Sequence, residues 1–153
     1  MNKPATKNAS AIEQLLEQPY WVIDPLPRRV PADSPGQFFA VERYFLRPTQ
    51  KQDLAEHFVR LVLKLNCWFD IRLFHPESDL EEPAPEPERI ASQLRACAMA
   101  QGPDNLYLLL SGEDAMLTLS SDDLNMTLYH PSESLMELVR PLAAAEGLFV
   151  WEP

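Results

Sequence analysis

A chain of 153 residues with 23 acidic and 13 basic side chains, formal net charge -10, has the length of one ordinary domain, enough to bury about 70% of its unfolded surface. Its acid excess repels phosphate backbones and anionic lipid, which argues against nucleic acid or a membrane as partner, and its apolar runs are too short to cross a bilayer. Cys67 and Cys97 have no paired spacing, so each reads as a small buried hydrophobe rather than a metal ligand or half of a disulfide. With no apolar leader-like run in the first 18 residues, the expectation is a cytoplasmic protein needing neither cofactor nor metal.

Residues 1–9 read as a flexible tail, and residues 10–153 as a single α+β domain. Ser10 to Glu13 has the form of a capping box; Ile12, Leu15 and Leu16 make one apolar stripe, and Pro19 stops the short helix they imply. Residues 20–23 are strand-like, while three prolines in residues 24–31 leave only an extended edge or loop. Residues 38–46 alternate as a strand would, with Phe39, Val41 and Phe45 on one face and Phe38, Ala40, Tyr44 and Leu46 on the other.

A second capping box, Thr49 to Gln52, opens the strongest helical pattern, in which Leu54, Phe58, Leu61, Val62 and Leu65 form a core-facing stripe. Asn66 is placed to end it in a left-handed conformation. The strand that follows directs Phe69, Ile71 and Leu73 to one side and Trp68, Asp70 and Arg72 to the other.

Residues 76–88, with six acids, four prolines and no base, predict an exposed, stiff, polyproline-like connector. Beyond it, Ile90, Leu94, Cys97 and Ala98 mark a helix that starts near Pro87 and ends before Gly102. Apolar runs at 106–110, 115–119 and 126–129 predict a β-meander, with Gly112 in the first turn. Leu135, Leu138, Val139 and Leu142 give a last helix between an N-cap at Ser132 and a C′ residue at Gly147, with a kink or break expected at Pro141, and residues 148–151 close the chain as a strand.

The expected fold is therefore α+β: a largely antiparallel sheet of about six strands with helices packed on it. The strand-helix-strand patterns at 44–69 and 126–150 admit an internal duplication, although two such units obeying the same physics would look alike without one.

The functional expectation follows from charge. Residues 1–75 hold ten bases against eight acids, whereas residues 76–153 hold three against fifteen. A non-enzymatic interaction module of immunity or adaptor type, binding a basic protein, is the leading reading; its surface would comprise Glu77, Asp79, Glu81, Glu82, Glu86 and Glu88 with Trp68 and Trp151 as aromatic anchors. The plain alternative is that the acids serve solubility alone. A second reading places a small ligand-binding, metal-binding or enzymatic site at one end of the meander, where His130 returns to Glu113 and Asp114. A third is a homodimer across a strand edge or a Trp face. His57, beside Asp53 and Glu56, reads as a surface ion pair. None of the common nucleophile, zinc-ligand or phosphate-cradling motifs occurs.

Overall fold

The computed structural model describes residues 7–28 and 33–153. The elements run α1 (Lys7–Leu16), β1 (Tyr20–Asp24), α2 (Phe38–Phe45), α3 (Pro48–Leu65), β2 (Ile71–His75), β3 (Leu80–Glu82), α4 (Pro87–Ala98), β4 (Asn105–Leu110), β5 (Met116–Ser120), β6 (Met126–Tyr129), α5 (Glu133–Ala145) and β7 (Phe149–Trp151). The fold is α+β, with a seven-stranded sheet in the order β3-β2-β4-β5-β6-β1-β7 whose neighbours are all antiparallel. Because β1 is antiparallel to both β6 and β7, the latter two are parallel, and α5 makes the crossover that such a pair requires.

Cross-strand register divides the sheet's residues between two faces. Leu106 pairs with Leu119, which pairs with Met126, which pairs with Ile23; Leu73 pairs with Leu108, then Leu117 and Leu128. These rows lie beneath the stripes of α3, α4 and α5 and form the main core, together with Phe58, Leu61, Leu65, Ile90, Leu94 and Val139. On the reverse face Phe74, Leu109 and Met116 are covered by Ile12 and Leu15 of α1. The docking demanded by a ten-residue helix is thus supplied by a second, smaller apolar cluster.

The hairpin turn has Gly112 at φ 84°, and α5 is capped by Ser132, whose Oγ accepts from the Leu135 amide, and followed by Gly147 at φ 71°. Other expectations are corrected. Residues 38–46 form helix α2 rather than a strand: their apolar residues satisfy both periods, and Phe38 and Phe45, seven apart, pack on the core from one side of a helix. This removes the leading strand of the first proposed repeat unit, leaving only α3–β2 to match α5–β7. Helix α1 begins at Lys7, so part of the expected tail is helical; residues 1–6 lie outside the described residues, as do residues 29–31 of the proline-rich stretch.

Helix α3 starts at Pro48, pre-set for a first turn, with Arg47 rather than Thr49 at its N-cap, and Asn66 stays right-handed while its side chain donates to the Phe69 carbonyl. Pro141 neither breaks nor ends α5: it lies with Glu137 on the exposed side of the helix, where loss of one backbone bond is tolerated. Cys97 is buried, but Cys67 is exposed in the turn after α3. The connector is ordered as strand β3, a turn and the start of α4.

Leu117, fully buried between its neighbours in the central rows, should lose about 2–5 kcal/mol of stability on substitution by Ala. Leu80→Ala on the outer strand, where the side chain is 61% exposed, should change it by no more than about 0.5 kcal/mol. Urea unfolding of the two variants, with the slope m unchanged, is the measurement.

Candidate functional site

Among the described residues no helix is long and apolar enough to cross a membrane, and no three His, Cys, Asp or Glu side chains are grouped to hold a metal ion. Three places bring chemistry together: the corner where β1 ends against α2, α3 and the α5–β7 turn; the hairpin end beneath His130; and the β2–β3–α4 edge.

The corner is organised by Glu146, the C-cap residue of α5. Its carboxylate is only 7% exposed and sits at the negative end of a helix dipole, so it needs cations. Helix α3 supplies them from one stripe: Lys64 Nζ donates to Oε1 at 2.7 Å and Arg60 Nε to Oε2 at 2.8 Å, while His57 Nδ1 lies 3.3 Å from Oε2. Burial pushes this carboxyl upward, yet the bonds from Lys64 and Arg60 outweigh it and hold Glu146 below the usual glutamate range. His57 Nε2 lies 3.6 Å from Asp53, whereas Glu56 is taken by Arg95 across the α3–α4 contact. Beside His57 is a cavity of about 170 Å³ walled by Pro25, Phe45, Leu54 and Leu148; a single side chain fits there, and the size is below the range of ordinary ligand pockets.

Asp24 ends β1 almost fully buried, its Oδ1 accepting from the Leu26 amide at 2.9 Å. Desolvation is the main cause that lifts its carboxyl to about 6, helped by the charge of Glu42 on α2 and opposed by bonds from Leu26 and Asn125. Helix α2 covers this corner without being absorbed by it. None of its residues is buried, and Phe39 is 67% exposed, with Val41, Tyr44 and Leu46 exposed beside it. Arg43 is exposed on its last turn, and the guanidinium of Arg47, at the junction with α3, lies 5.3 Å from the centre of the Tyr44 ring.

At the hairpin end the expected juxtaposition forms in part. His130, at φ 55°, donates from Nδ1 to the Asp114 carbonyl at 2.8 Å and lies 3.5 Å from its carboxylate. Glu113 turns instead to the Ser132 hydroxyl at the cap of α5, 3.3 Å away. His130 and Asp114 border a cavity of about 140 Å³ closed by Gln14 and Gln18 of α1.

The residues assigned to an acidic docking strip are not gathered into one. Glu77 accepts from the backbone and side-chain amides of Asn105, Glu81 pairs with Arg72 at 3.0 Å, and Glu82 receives His75 at 2.6 Å and Arg89 at 2.8 Å. The Arg89 bond leads in holding Glu82 below the ordinary glutamate range. Asp79 sits in the β2–β3 turn at φ 54°, Glu86 is the N-cap residue of α4, and Glu88 lies in its first turn. Trp68 is 59% exposed just before β2, while Trp151 is half-buried in the edge strand β7, towards the other side of the sheet, with its Nε1 buried and unbonded.

Neither a scan against protein-family models nor searches of curated proteins and of solved structures find a match to this chain.

Helix α2 and the roles of the Asp24 and Glu146 carboxylates are not apparent from the residue pattern alone. The available signals were the 38, 42, 45 spacing that overlies the strand-like alternation and the His57, Arg60, Lys64 stripe, three bases on one helix face that call for an acid.

Asp24 makes a pH prediction with a definite sign. Its folded value of about 6 exceeds the ordinary 3.8, so between those pH values the native state binds more protons than the unfolded one and stability falls as pH rises through that window. Asp24→Asn removes this penalty. The variant should be more stable than wild type at pH 8, by up to about 3 kcal/mol, with the gap closing toward pH 4. Paired urea titrations at each pH measure it and cancel the opposite contribution of Glu146, which is lost from both proteins as its carboxylate is protonated.

Proposed function

We propose that this chain is a non-enzymatic protein-interaction module of adaptor type, with α2 as its docking element. The observation that carries this reading is the exposed apolar surface of α2 and its C-cap residue: Phe39 and Leu46 lie on one flank of its outer side and Val41 and Tyr44 on the other. Scattered apolar residues are normal on any surface, but four large ones within eight residues of one short helix and its cap make the kind of patch an interface presents. Each such side chain, if fully buried by a partner, contributes about 1.5–3 kcal/mol, and aromatic residues supply the largest share of interface energy. The cavity lined by Phe45 lies at the foot of the same helix and offers a slot for one partner side chain.

A second reading keeps the acidic surface as the docking face for a basic partner. It is favoured by the fact that, among the described ion pairs, only Glu81, Glu82 and Glu146 of the fifteen acids in residues 76–153 meet an arginine or lysine. The internal duties of Glu77, Glu81 and Glu82 narrow that face to Asp79, Glu86, Glu88 and Trp68.

The test compares wild type with Phe39→Ser/Tyr44→Ser and with Asp79→Asn/Glu86→Gln/Glu88→Gln as baits in the native lysate. The captured protein is then identified, purified and titrated against each. If α2 docks, the first variant weakens the purified complex at least tenfold, about 1.4 kcal/mol, without a change in melting temperature, and the second leaves it within about twofold. Loss with the acid-neutralised variant alone transfers the function to the acidic face, and equal binding by all three removes both surfaces.

A further inference from the structure

The α2 face also carries information about what it binds. The chain has ten more acids than bases, so almost any arginine could find a carboxylate. Among the described lysines and arginines most have done so or are otherwise held: Arg60 and Lys64 by Glu146, Arg72, Arg89 and Arg95 each by a glutamate, Lys51 by the Ser121 carbonyl, and Arg140 on the ring of Trp21. The described arginines without such a partner are Arg28, in the connection leading to α2, Arg43 on α2, and Arg47 at its end, whose guanidinium meets only the Tyr44 ring of the same helix. Among the described residues, two of the arginines that meet no carboxylate, Arg43 and Arg47, therefore belong to this exposed apolar helix or its end.

We infer that the partner at α2 is an acidic amphipathic helix of another protein, whose apolar stripe lies on Phe39 and Leu46, two turns apart on one flank of α2, and whose flanking carboxylates pair with Arg43 and Arg47 on the outer side beside them. This rests on α2 being the docking element and names the chemistry of its partner. Helix against helix suits the dimensions, because α2 is eight residues long, about 12 Å, which matches two turns of an apposed stripe. A two-fold pair of α2 copies would set the arginines of one copy against those of the other, whereas a carboxylate-bearing helix answers them. An anionic bilayer would attract the arginines but repel the rest of a chain of charge -10. Guanidinium–carboxylate pairs at the rim of an apolar contact fix orientation and partner choice more than affinity.

Three synthetic helices of about 20 residues, long enough to be helical alone, would share one leucine stripe and differ only in flanking residues: glutamate, glutamine or lysine. Binding is read by fluorescence anisotropy at about 0.1 M salt, where the screening length of about 10 Å leaves local charges in control. The glutamate helix should bind at least tenfold more tightly than the lysine helix. Arg43→Glu/Arg47→Glu should reverse that order, and Phe39→Ser/Tyr44→Ser should lose all three. Equal binding of the three helices, lost with the serine variant, overturns the inference while leaving α2 as the docking element. Absence of saturable binding by the glutamate helix overturns it too, as does a dimer abolished by the serine variant in light scattering, or tighter binding to vesicles of phosphatidylserine than to the glutamate helix.

Discussion

A carboxylate buried at the C-terminus of a helix is an unfavourable placement on two counts, desolvation and the helix dipole, and Glu146 occupies it. The cost is tolerable only because Arg60 and Lys64 reach across from α3 with short bonds, and this couples three features. The stripe of α3 that faces away from its apolar side must point to the end of α5. The α5–β7 turn, reversed through Gly147, must then lie beside α3 rather than over the sheet. And the N-terminal end of α3, which Pro48 sets, carries α2 into the corner above Asp24. The apolar rows of the sheet specify that helices cover them; the Glu146 cluster specifies how two of those helices are aligned.

Helix α2 is held differently from every other helix. The others bury two or more side chains fully, whereas α2 holds on through half-buried Phe38 and Phe45, and eight residues are too few for a helix to be stable by propensity alone. Beneath it, Glu42 faces the buried Asp24, so the seat of α2 carries an electrostatic penalty rather than a bond. A helix weakly seated by its own domain and richly apolar on its outer side gains more from a partner than one already committed to the core.

The division between what the residues disclose and what they conceal follows physical lines. Where one period of hydrophobicity dominates, as in Leu54 to Leu65, element and buried face are both legible, whereas the meander's runs disclose strands but not that α1 covers their second face and buries Met116 there. Residues 38–46 satisfy two periods at once, and the choice was made by which pair, Phe38 and Phe45, could reach the core. Pro141 was misleading because a helix tolerates proline on its exposed side, a fact of exposure rather than of sequence. The hairpin brought His130 to Asp114 as strand lengths required, but Glu113 was drawn to the Ser132 cap, a contact that depends on where α5 begins.

Charge shows the same limit most clearly. Composition marks residues 76–88 as an acidic strip, yet a carboxylate's role depends on what the fold places within reach: Glu77 ties the connector to β4, Glu81 answers Arg72, and Glu82 joins His75 on β2 to Arg89 on α4. Acids that hold the edge of a sheet together are not thereby offered to a partner, since pulling one away would leave its base unpaired. The arginines of α2 are in the opposite position. They reach no carboxylate of their own chain, and they stand beside side chains that water does not solvate well. Sequence counts put ten bases in the first half of the chain; only the pairing separates those that build the domain from those left facing outward.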